Sequence, residues 1–156
     1  EKKGDINKAI LLYLESLKPL EKFIAEPLKT EFNGKEIYLN NEIYSAVQNI
    51  LSEIRFIPLD EKIDAKIGRA AEKPLKIRAE LKTVSKAQKI SNLPLVFSFI
   101  KGEGDLLKKA RTNADGIGQT EISKITSSDN LQIVKTELDL SEFGSDDSVS
   151  FLYRDI

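Results

Sequence analysis

The stretch from Asn92 to Ile125 constrains the fold most, because short apolar segments alternate in it with glycine turns. It predicts a strand, a turn that carries glycine, a polar excursion, a tight turn and a second strand. Leu95, Phe97 and Phe99 lie at every second position, so the first strand directs all three side chains to one face. This pattern predicts antiparallel β-structure for the larger part of the chain.

Similar signals continue on both sides of this stretch. The segment from Pro74 to Lys82 alternates between apolar and charged residues, which predicts a half-solvated strand with an inner face of Leu75, Ile77, Ala79 and Leu81. The other predicted elements are an edge strand from Phe56 that tolerates Pro58, a polar loop at Thr83–Asn92, strands at Ile117–Ile125 and Leu131–Leu140 (Val134, Thr136, Leu138 and Leu140 inward), an acidic loop at Ser141–Ser148, and a last strand with Val149, Phe151 and Tyr153. Six or seven short strands with turn signals between them are typical of a β-sandwich.

The first 55 residues have the apolar spacing of helices instead. Asp5 is expected to cap a helix whose apolar residues recur over Ile6–Leu17, and Pro19 is expected to break or kink that helix near Lys18. A second helix, capped by Asn40 or Asn41, is predicted to have one apolar face made of Ile43, Val47, Ile50, Leu51 and Ile54.

A hairpin is predicted between these helices, at Leu28–Leu39. Asn33 and Gly34 both tolerate the positive φ that a type I′ turn requires. The helices and the hairpin are too small to hold a separate core, so we expect them to pack on each other or on a preceding domain. The chain is therefore predicted to be α+β, with a helical segment at residues 1–55 and an antiparallel β-sandwich at residues 56–156.

Composition excludes several kinds of chemistry. The chain contains no Cys and no His, which excludes disulfides, thiolate nucleophiles, zinc knuckles and Ser-His-Asp catalysis. Lysine and arginine (24) nearly balance aspartate and glutamate (25), and the net charge of −1 lacks the basic surplus of a nucleic-acid binder. No apolar run approaches the roughly 20 residues that span a bilayer. We therefore expect a soluble chain that does not bind nucleic acid.

Four groups of residues are candidate sites, and each has a simpler structural interpretation. Asp139, Glu142, Asp146 and Asp147 form either a calcium site or an acidic solvated loop, and Gly102-Glu103-Gly104-Asp105 is either part of a dinucleotide site or a turn.

Lys108, Lys109 and Arg111 either bind an anionic glycan or lipid headgroup or form a solvated face. Tyr13, Tyr38 and Tyr44 either line a groove for a partner or pack against the core. We favour the structural interpretation throughout, and predict no catalytic, cofactor-binding or metal-binding residue, no cofactor and no enzymatic activity.

The segment from Pro94 to Ile125 also resembles a known family. The string PLVFSF, then Gly102 and Gly104, then TNADGIGQTEI (Thr112–Ile122), is similar to the bacterial immunoglobulin-like domains of invasin and intimin. Their repeats place a V-x-F strand, a G-x-G turn and a T-[DN]-A-[DN]-G-x-[AG] turn at similar spacing. The resemblance implies an immunoglobulin-like β-sandwich over residues 56–156.

Within this motif, Asp115 and Gly116 would make the tight turn, and Gly118 would leave room for close packing of the sheets. Domains of this family usually occur as tandem copies. This chain has one copy and no internal repeat, so an extended adhesin stalk is not implied.

The whole arrangement, a helical segment with an Asn-Gly-Lys hairpin before such a sandwich, is similar to the distal part of some bacterial cell-envelope lipoproteins. That resemblance implies an acylated N-terminus, a periplasmic or outer-membrane setting, and a structural or assembly role. Because the sequence begins with Glu1 rather than Met, we expect it to continue a longer product that holds the anchor.

We therefore predict a non-enzymatic structural or protein-recognition module with a protein partner in the cell envelope, which reaches the membrane only through a lipid anchor. One alternative is a carbohydrate-binding module, whose sign would be a flat row of exposed aromatic side chains. Another is an accessory domain of an envelope enzyme.

Overall fold

A computed structural model of the 156-residue chain describes residues 3–23, 26, 28–82 and 87–144. The fold is α+β, as predicted. The described residues divide into two compact units. Those within Glu1–Glu53 and those from Leu140 onward form the first unit, and Ile54–Asp139 forms the second. None of the described helices is long and apolar enough to cross a bilayer.

The first unit contains the predicted helices. Helix α1 spans Lys3–Glu15, the short α2 spans Leu17–Leu20 and leads into a 3-10 helix at Glu21–Phe23, and α3 spans Leu39–Glu53. Helices α1 and α3 contact each other, and the helices supply the buried residues Ile10, Leu14, Leu17, Leu20, Val47 and Leu51. A further 3-10 helix at Leu140–Glu142 contributes the buried Leu140.

Pro19 breaks the first helix slightly earlier than predicted. Proline has no N–H to bond the carbonyl four residues before it, and its ring clashes with that carbonyl. The carbonyl in question belongs to Glu15, which is the last residue of α1. The interruption therefore falls at Ser16 and not near Lys18.

Neither predicted helix cap is correct. Helix α1 already includes Asp5, and α3 begins one residue before Asn40, so Asn40 and Asn41 lie in its first turn. The Oδ1 atom of the buried Asn40 accepts a hydrogen bond from the Leu28 N–H at 3.1 Å, and its Nδ2 donates to the Phe23 carbonyl at 3.2 Å. Asn40 therefore fixes the start of the hairpin and does not cap the N-terminus of α3.

The predicted hairpin is confirmed. Strands β1 (Lys29–Phe32) and β2 (Lys35–Tyr38) pair antiparallel. Asn33 and Gly34 between them have φ values of 51° and 72°, as a type I′ turn requires.

One face of this hairpin carries a charged network. The Nζ atom of Lys29 lies 2.8 Å from Oε1 of Glu36 and 5.3 Å from the centre of the Tyr38 ring. The hydrogen bond with Glu36, and then that with Tyr38, raise the pKa of the Lys29 ammonium above its ordinary value.

The second unit consists of short antiparallel strands. They are β3 (Ile54–Pro58), β4 (Leu75–Leu81), β5 (Gln88–Lys89), β6 (Pro94–Lys101), β7 (Gly104–Leu106), β8 (Lys109–Arg111), β9 (Ile117–Thr120), β10 (Ile122–Ile125) and β11 (Ile133–Leu138). In one sheet β3 pairs along one edge of β4, while β9 and β5 pair along its other edge. In a second sheet β6 lies between β11 and β8, and β7 pairs with β10 in a separate two-stranded sheet.

The two larger sheets face each other through the predicted inner residues. In the first sheet Ile77 lies opposite Pro58, and in the second Phe97 lies opposite Thr136. The sheets approach closely at Gly118, where an added Cβ would lie 2.2 Å from Cδ1 of Leu95. This is the role that the sequence predicted for Gly118, and the arrangement is consistent with a β-sandwich.

Several strand boundaries differ from the prediction because pairing extends into segments of polar sequence. The predicted loop Thr83–Asn92 contains β5, which bonds the second half of β4. The polar excursion contains β7 and β8. The predicted strand Ile117–Ile125 is two strands, because β9 pairs with β4 whereas β10 pairs with β7, and the chain changes partner at Glu121.

Two side-chain predictions also need correction. Glu80, predicted to face solvent, is buried, and its Oε2 lies 3.2 Å from Nε of Arg78. Leu140, predicted to belong to the strand, lies in a 3-10 helix. Most of the predicted acidic loop and the last strand at Val149–Tyr153 lie outside the described residues.

Candidate functional site

The tight turn after β8 is built by side chains of the motif. The Asn113 Oδ1 accepts hydrogen bonds from the N–H groups of Asp115 and Ile117, at 2.9 and 3.0 Å. Gly116 follows with φ of 72°, and its carbonyl accepts a hydrogen bond from the Ala79 N–H at 2.8 Å. The turn predicted at Asp115 and Gly116 is confirmed, and Asn113 is the residue that closes it.

Thr112 attaches this motif to the preceding chain. Its buried hydroxyl accepts a hydrogen bond from the Leu93 N–H at 2.8 Å and donates one to the Ile90 carbonyl at 2.7 Å. The hydroxyl thus satisfies two backbone groups that neighbouring strands leave unpaired. These bonds place β6 and β8, and with them one wall of the site described next.

A groove of about 770 Å³ lies between the two sheets of the second unit. Its volume falls within the roughly 300–1,000 Å³ typical of ligand-binding clefts. Apolar side chains from both sheets and from β10 form its interior: Phe56, Leu75, Ile77, Phe97, Ile122, Ile125 and Val134. Although the inner faces were predicted residue by residue, the sequence did not indicate that the sheets separate on this side.

Large apolar side chains surround the mouth of the groove. Ile67, Leu131 and Ile133 line it and are 63%, 57% and 38% exposed. Clustered exposed apolar side chains are typical of binding surfaces, because a monomer gains nothing by exposing them. The groove therefore has an apolar entrance as well as an apolar interior.

Backbone hydrogen bonds hold the end of the segment from Leu59 to Ala71 along β10. The N–H of Gly68 donates to the carbonyl of Ile125 at 2.7 Å, and the N–H of Ala71 donates to that of Ile122 at 3.0 Å. These bonds position Ile67, which lies one residue before Gly68.

The opposite side of the mouth is fixed by Gln132. Its Nε2 donates to the Asp129 carbonyl at 2.7 Å, and its Oε1 accepts from the Glu103 N–H at 3.2 Å. Gly102 provides space for this side chain, since an added Cβ would lie 1.5 Å from Oε1. Gly102 thus turns the chain from β6 into β7 and leaves room for the Gln132 side chain.

The polar rim of the groove is more acidic than basic. Four carboxylates and two lysines line it: Asp60, Glu61, Asp64 and Asp129, with Lys62 and Lys76. Lys73 forms an ion pair with Asp60. The rim therefore favours a ligand that carries neutral or basic groups around its apolar part.

The outer strands of both sheets, β3 and β11, line the groove, and parts of their backbone edges have no neighbouring strand among the described residues. Within the described residues, β3 pairs only with β4 and β11 only with β6. The Asp139 N–H donates to the Pro94 carbonyl at 2.9 Å. Because backbone groups point alternately to the two sides of a strand, those of Val134 and Thr136 point away from β6.

The same alternation applies to β3. The Leu59 N–H, just after the strand, donates to the Lys76 carbonyl at 3.0 Å, so the backbone groups of Phe56 and Pro58 point away from β4. Proline lacks an N–H, and β3 therefore presents a poorer edge than β11. Its position at an edge agrees with the tolerance of Pro58 that the sequence predicted.

Two residues of the basic run and one residue of the acidic group form interactions within the protein. Lys109 lies 2.7 Å from the buried Asp139, and Arg111 donates to the Asn92 carbonyl at 3.0 Å, while Lys108 is exposed. Glu142 is exposed, and Asp146 and Asp147 lie outside the described residues. Within the described residues, no group of three or more carboxylates lies close enough together to hold a metal ion.

The three tyrosines all lie in the first unit. Tyr13 and Tyr38 are 43% and 41% exposed, so each is only partly covered by the protein. Tyr44 is half-buried, and its burial, followed by the charge of Glu21, raises the pKa of its phenol above the ordinary value. The structure does not bring the tyrosines to the groove.

Comparison of the chain with family models, with curated proteins and with solved structures finds no match. The groove is thus assigned from its own geometry. It combines an apolar interior, an exposed apolar mouth, an acidic rim and, among the described residues, unpaired edge positions on β3 and at Val134 and Thr136 of β11.

Proposed function

We propose that this chain is a non-enzymatic protein-recognition module that binds its partner in the groove of the second unit. The observation that carries the proposal is the cluster of Ile67, Leu131 and Ile133 at the mouth of an apolar groove. Burying such residues against a partner removes apolar surface from water, which stabilises the complex by about 25 cal/mol per Å² of that surface.

The distribution of aromatic side chains favours protein recognition over glycan recognition. Among the described residues, the exposed aromatic side chains are Tyr13, Phe32 and Tyr38, all in the first unit. In the groove, Phe56 is half-buried and Phe97 is buried. A sugar ring stacks on a flat exposed aromatic face, and the described part of the second unit presents no row of them.

We also propose that the second unit is immunoglobulin-like and that the protein works in the bacterial cell envelope. Support comes from the resemblance to the invasin and intimin motif, in which Asn113, Gly116 and Gly118 each have a structural role. Fractionation of native cells and the mass of the mature N-terminus test the setting. A diacylglyceryl-modified cysteine in the membrane fraction is expected, whereas an unmodified cytosolic protein would remove this part of the proposal.

A matched pair of variants tests groove recognition. Ile67 and Ile100 are both 63% exposed, but only Ile67 lines the groove. Full-length protein carrying Ile67→Asp or Ile100→Asp is isolated from native cells, and co-purified polypeptides are quantified against the unmodified protein. We expect a polypeptide that Ile67→Asp loses at least tenfold and Ile100→Asp retains. Equal recovery with both variants would refute binding at the groove.

A further inference from the structure

We propose that the partner enters the groove as an extended segment and adds a strand to the edge of β11 at Val134 and Thr136. This inference rests on the proposed function and specifies its ligand: a polypeptide stretch with apolar side chains at alternate positions and polar residues between them. Strand addition recognises the backbone by hydrogen bonds and the sequence by side chains that enter pockets at every second position.

The backbone of β11 supplies the hydrogen-bonding groups. Val134 and Thr136 point their N–H and C=O groups away from β6, and both residues also line the groove. A segment beside them would lie about 4.8 Å from β11, which is the spacing of neighbouring strands. Leu138 at the end of β11 forms an interaction of its own, so the proposed site is limited to the first part of the strand.

The side chains of the groove specify the alternation. Val134 and Thr136 are separated by two positions and face the same interior as Phe97 and Ile77. A paired strand directs every second side chain to that side, where apolar groups fit. The intervening side chains point to the opposite face of the sheet, where Lys135 and Glu137 of β11 form an ion pair. Polar residues suit those positions, because that face is exposed to solvent.

The edge of β3 is a weaker alternative within the same groove. Pro58 provides no N–H, so only Phe56 and Ile54 could donate to an added strand. The edge of β11 contains no proline. The structure therefore assigns the main-chain contacts to β11 and the apolar contacts to both sheets.

The test uses a nine-residue peptide of alternating valine and lysine, and a block peptide of the same composition with its valines contiguous. Both are titrated into the full chain labelled with ¹⁵N. We expect the alternating peptide to slow amide hydrogen exchange at Val134 and Thr136 at least tenfold and the block peptide to leave it unchanged. Equal effects of the two peptides, or no effect of the alternating one, would overturn the inference.

Two variants at position 136 separate the contribution of the backbone N–H to peptide binding from that of the side chain. Thr136→Pro removes an N–H that β6 does not use, whereas Thr136→Val keeps that N–H and the shape of the side chain. We expect Thr136→Pro to weaken binding of the alternating peptide at least tenfold and Thr136→Val to change it less than threefold. If Thr136→Pro does not fold, the exchange measurement on the unmodified chain decides.

The outcomes also distinguish this inference from the proposed function. A polypeptide lost with Ile67→Asp, together with no exchange protection by the alternating peptide, would leave groove recognition standing and refute strand addition. Decanoate that shifts the Val134 resonance and displaces the alternating peptide would identify the groove as an acyl-chain site and overturn the inference.

Discussion

Thr112 is expected to be the most sensitive polar residue of the second unit. Its hydroxyl is the hydrogen-bond partner of two backbone groups, the N–H of Leu93 and the carbonyl of Ile90, and both of those residues are 0% exposed. Valine has nearly the same shape as threonine, so Thr112→Val removes both hydrogen bonds without opening a cavity. The change therefore isolates the contribution of the hydroxyl.

The expected magnitude follows from leaving buried backbone groups unpaired. Each such group costs about 1–3 kcal/mol, and we expect Thr112→Val to lower the free energy of unfolding by about 2–4 kcal/mol. In a domain of this size that corresponds to a fall of about 10–25 °C in Tm. Thr112→Ser is the matched control, because it keeps the hydroxyl and loses one methyl group, at about 1 kcal/mol.

The assay is urea unfolding of the full chain, followed by the amide resonances of β4 and β6 so that the second unit is measured by itself. Thr112→Val should reduce the midpoint without changing the slope of the transition. A Thr112→Val variant within about 0.5 kcal/mol of the unmodified chain, or one more stable than Thr112→Ser, would refute the reasoning.

Three further predictions concern other parts of the chain. Gly34→Ala should lower the free energy of unfolding by about 1–2 kcal/mol through its positive φ alone, since nothing lies near the added Cβ. Gly116→Ala should lower it more, because the added Cβ would also lie 2.8 Å from the Ala79 carbonyl oxygen. Equal losses of stability in urea unfolding would contradict this. Asn40→Ala should destabilise the first unit by about 1–2 kcal/mol and speed hydrogen exchange in β1 and β2, because it releases two hydrogen bonds at the base of the hairpin; unchanged exchange would contradict it. Burial raises the pKa of Tyr44, so its stabilising contribution is present below the unfolded pKa of about 10 and is lost as pH rises through the folded pKa. Unfolding measured from pH 9 to 12 should show a larger loss of stability in the unmodified chain than in Tyr44→Phe, in which Lys29 still titrates; equal losses would contradict this.

The sequence predicted well those features that depend on neighbouring residues. Asn33 and Gly34 determine the type I′ turn through their own backbone preferences, and Pro19 ends a helix by what it lacks. Alternation over Leu75–Leu81 identified the inner face of β4 because burial repeats every second residue in a strand. These are local rules, and the sequence contains all that they need.

Features that depend on distant partners were predicted poorly. The short strands β5, β7 and β8 have little apolar pattern and form because another strand offers them hydrogen bonds. Asn40 resembles a cap in sequence, and its actual partners lie 12 and 17 residues away. The groove was missed for the same reason, since the separation of two sheets is not encoded in the period of either one.

Photo-crosslinking in native cells tests the central claim, recognition of a polypeptide in the groove, most directly. A photoreactive amino acid replaces Ile67 at the mouth or, as the reference, Ile100, which is equally exposed and lies outside the groove lining. We predict a discrete polypeptide adduct from position 67 and none from position 100. Adducts of equal yield at both positions, or an adduct at position 67 that is lipid and not polypeptide, would contradict the account.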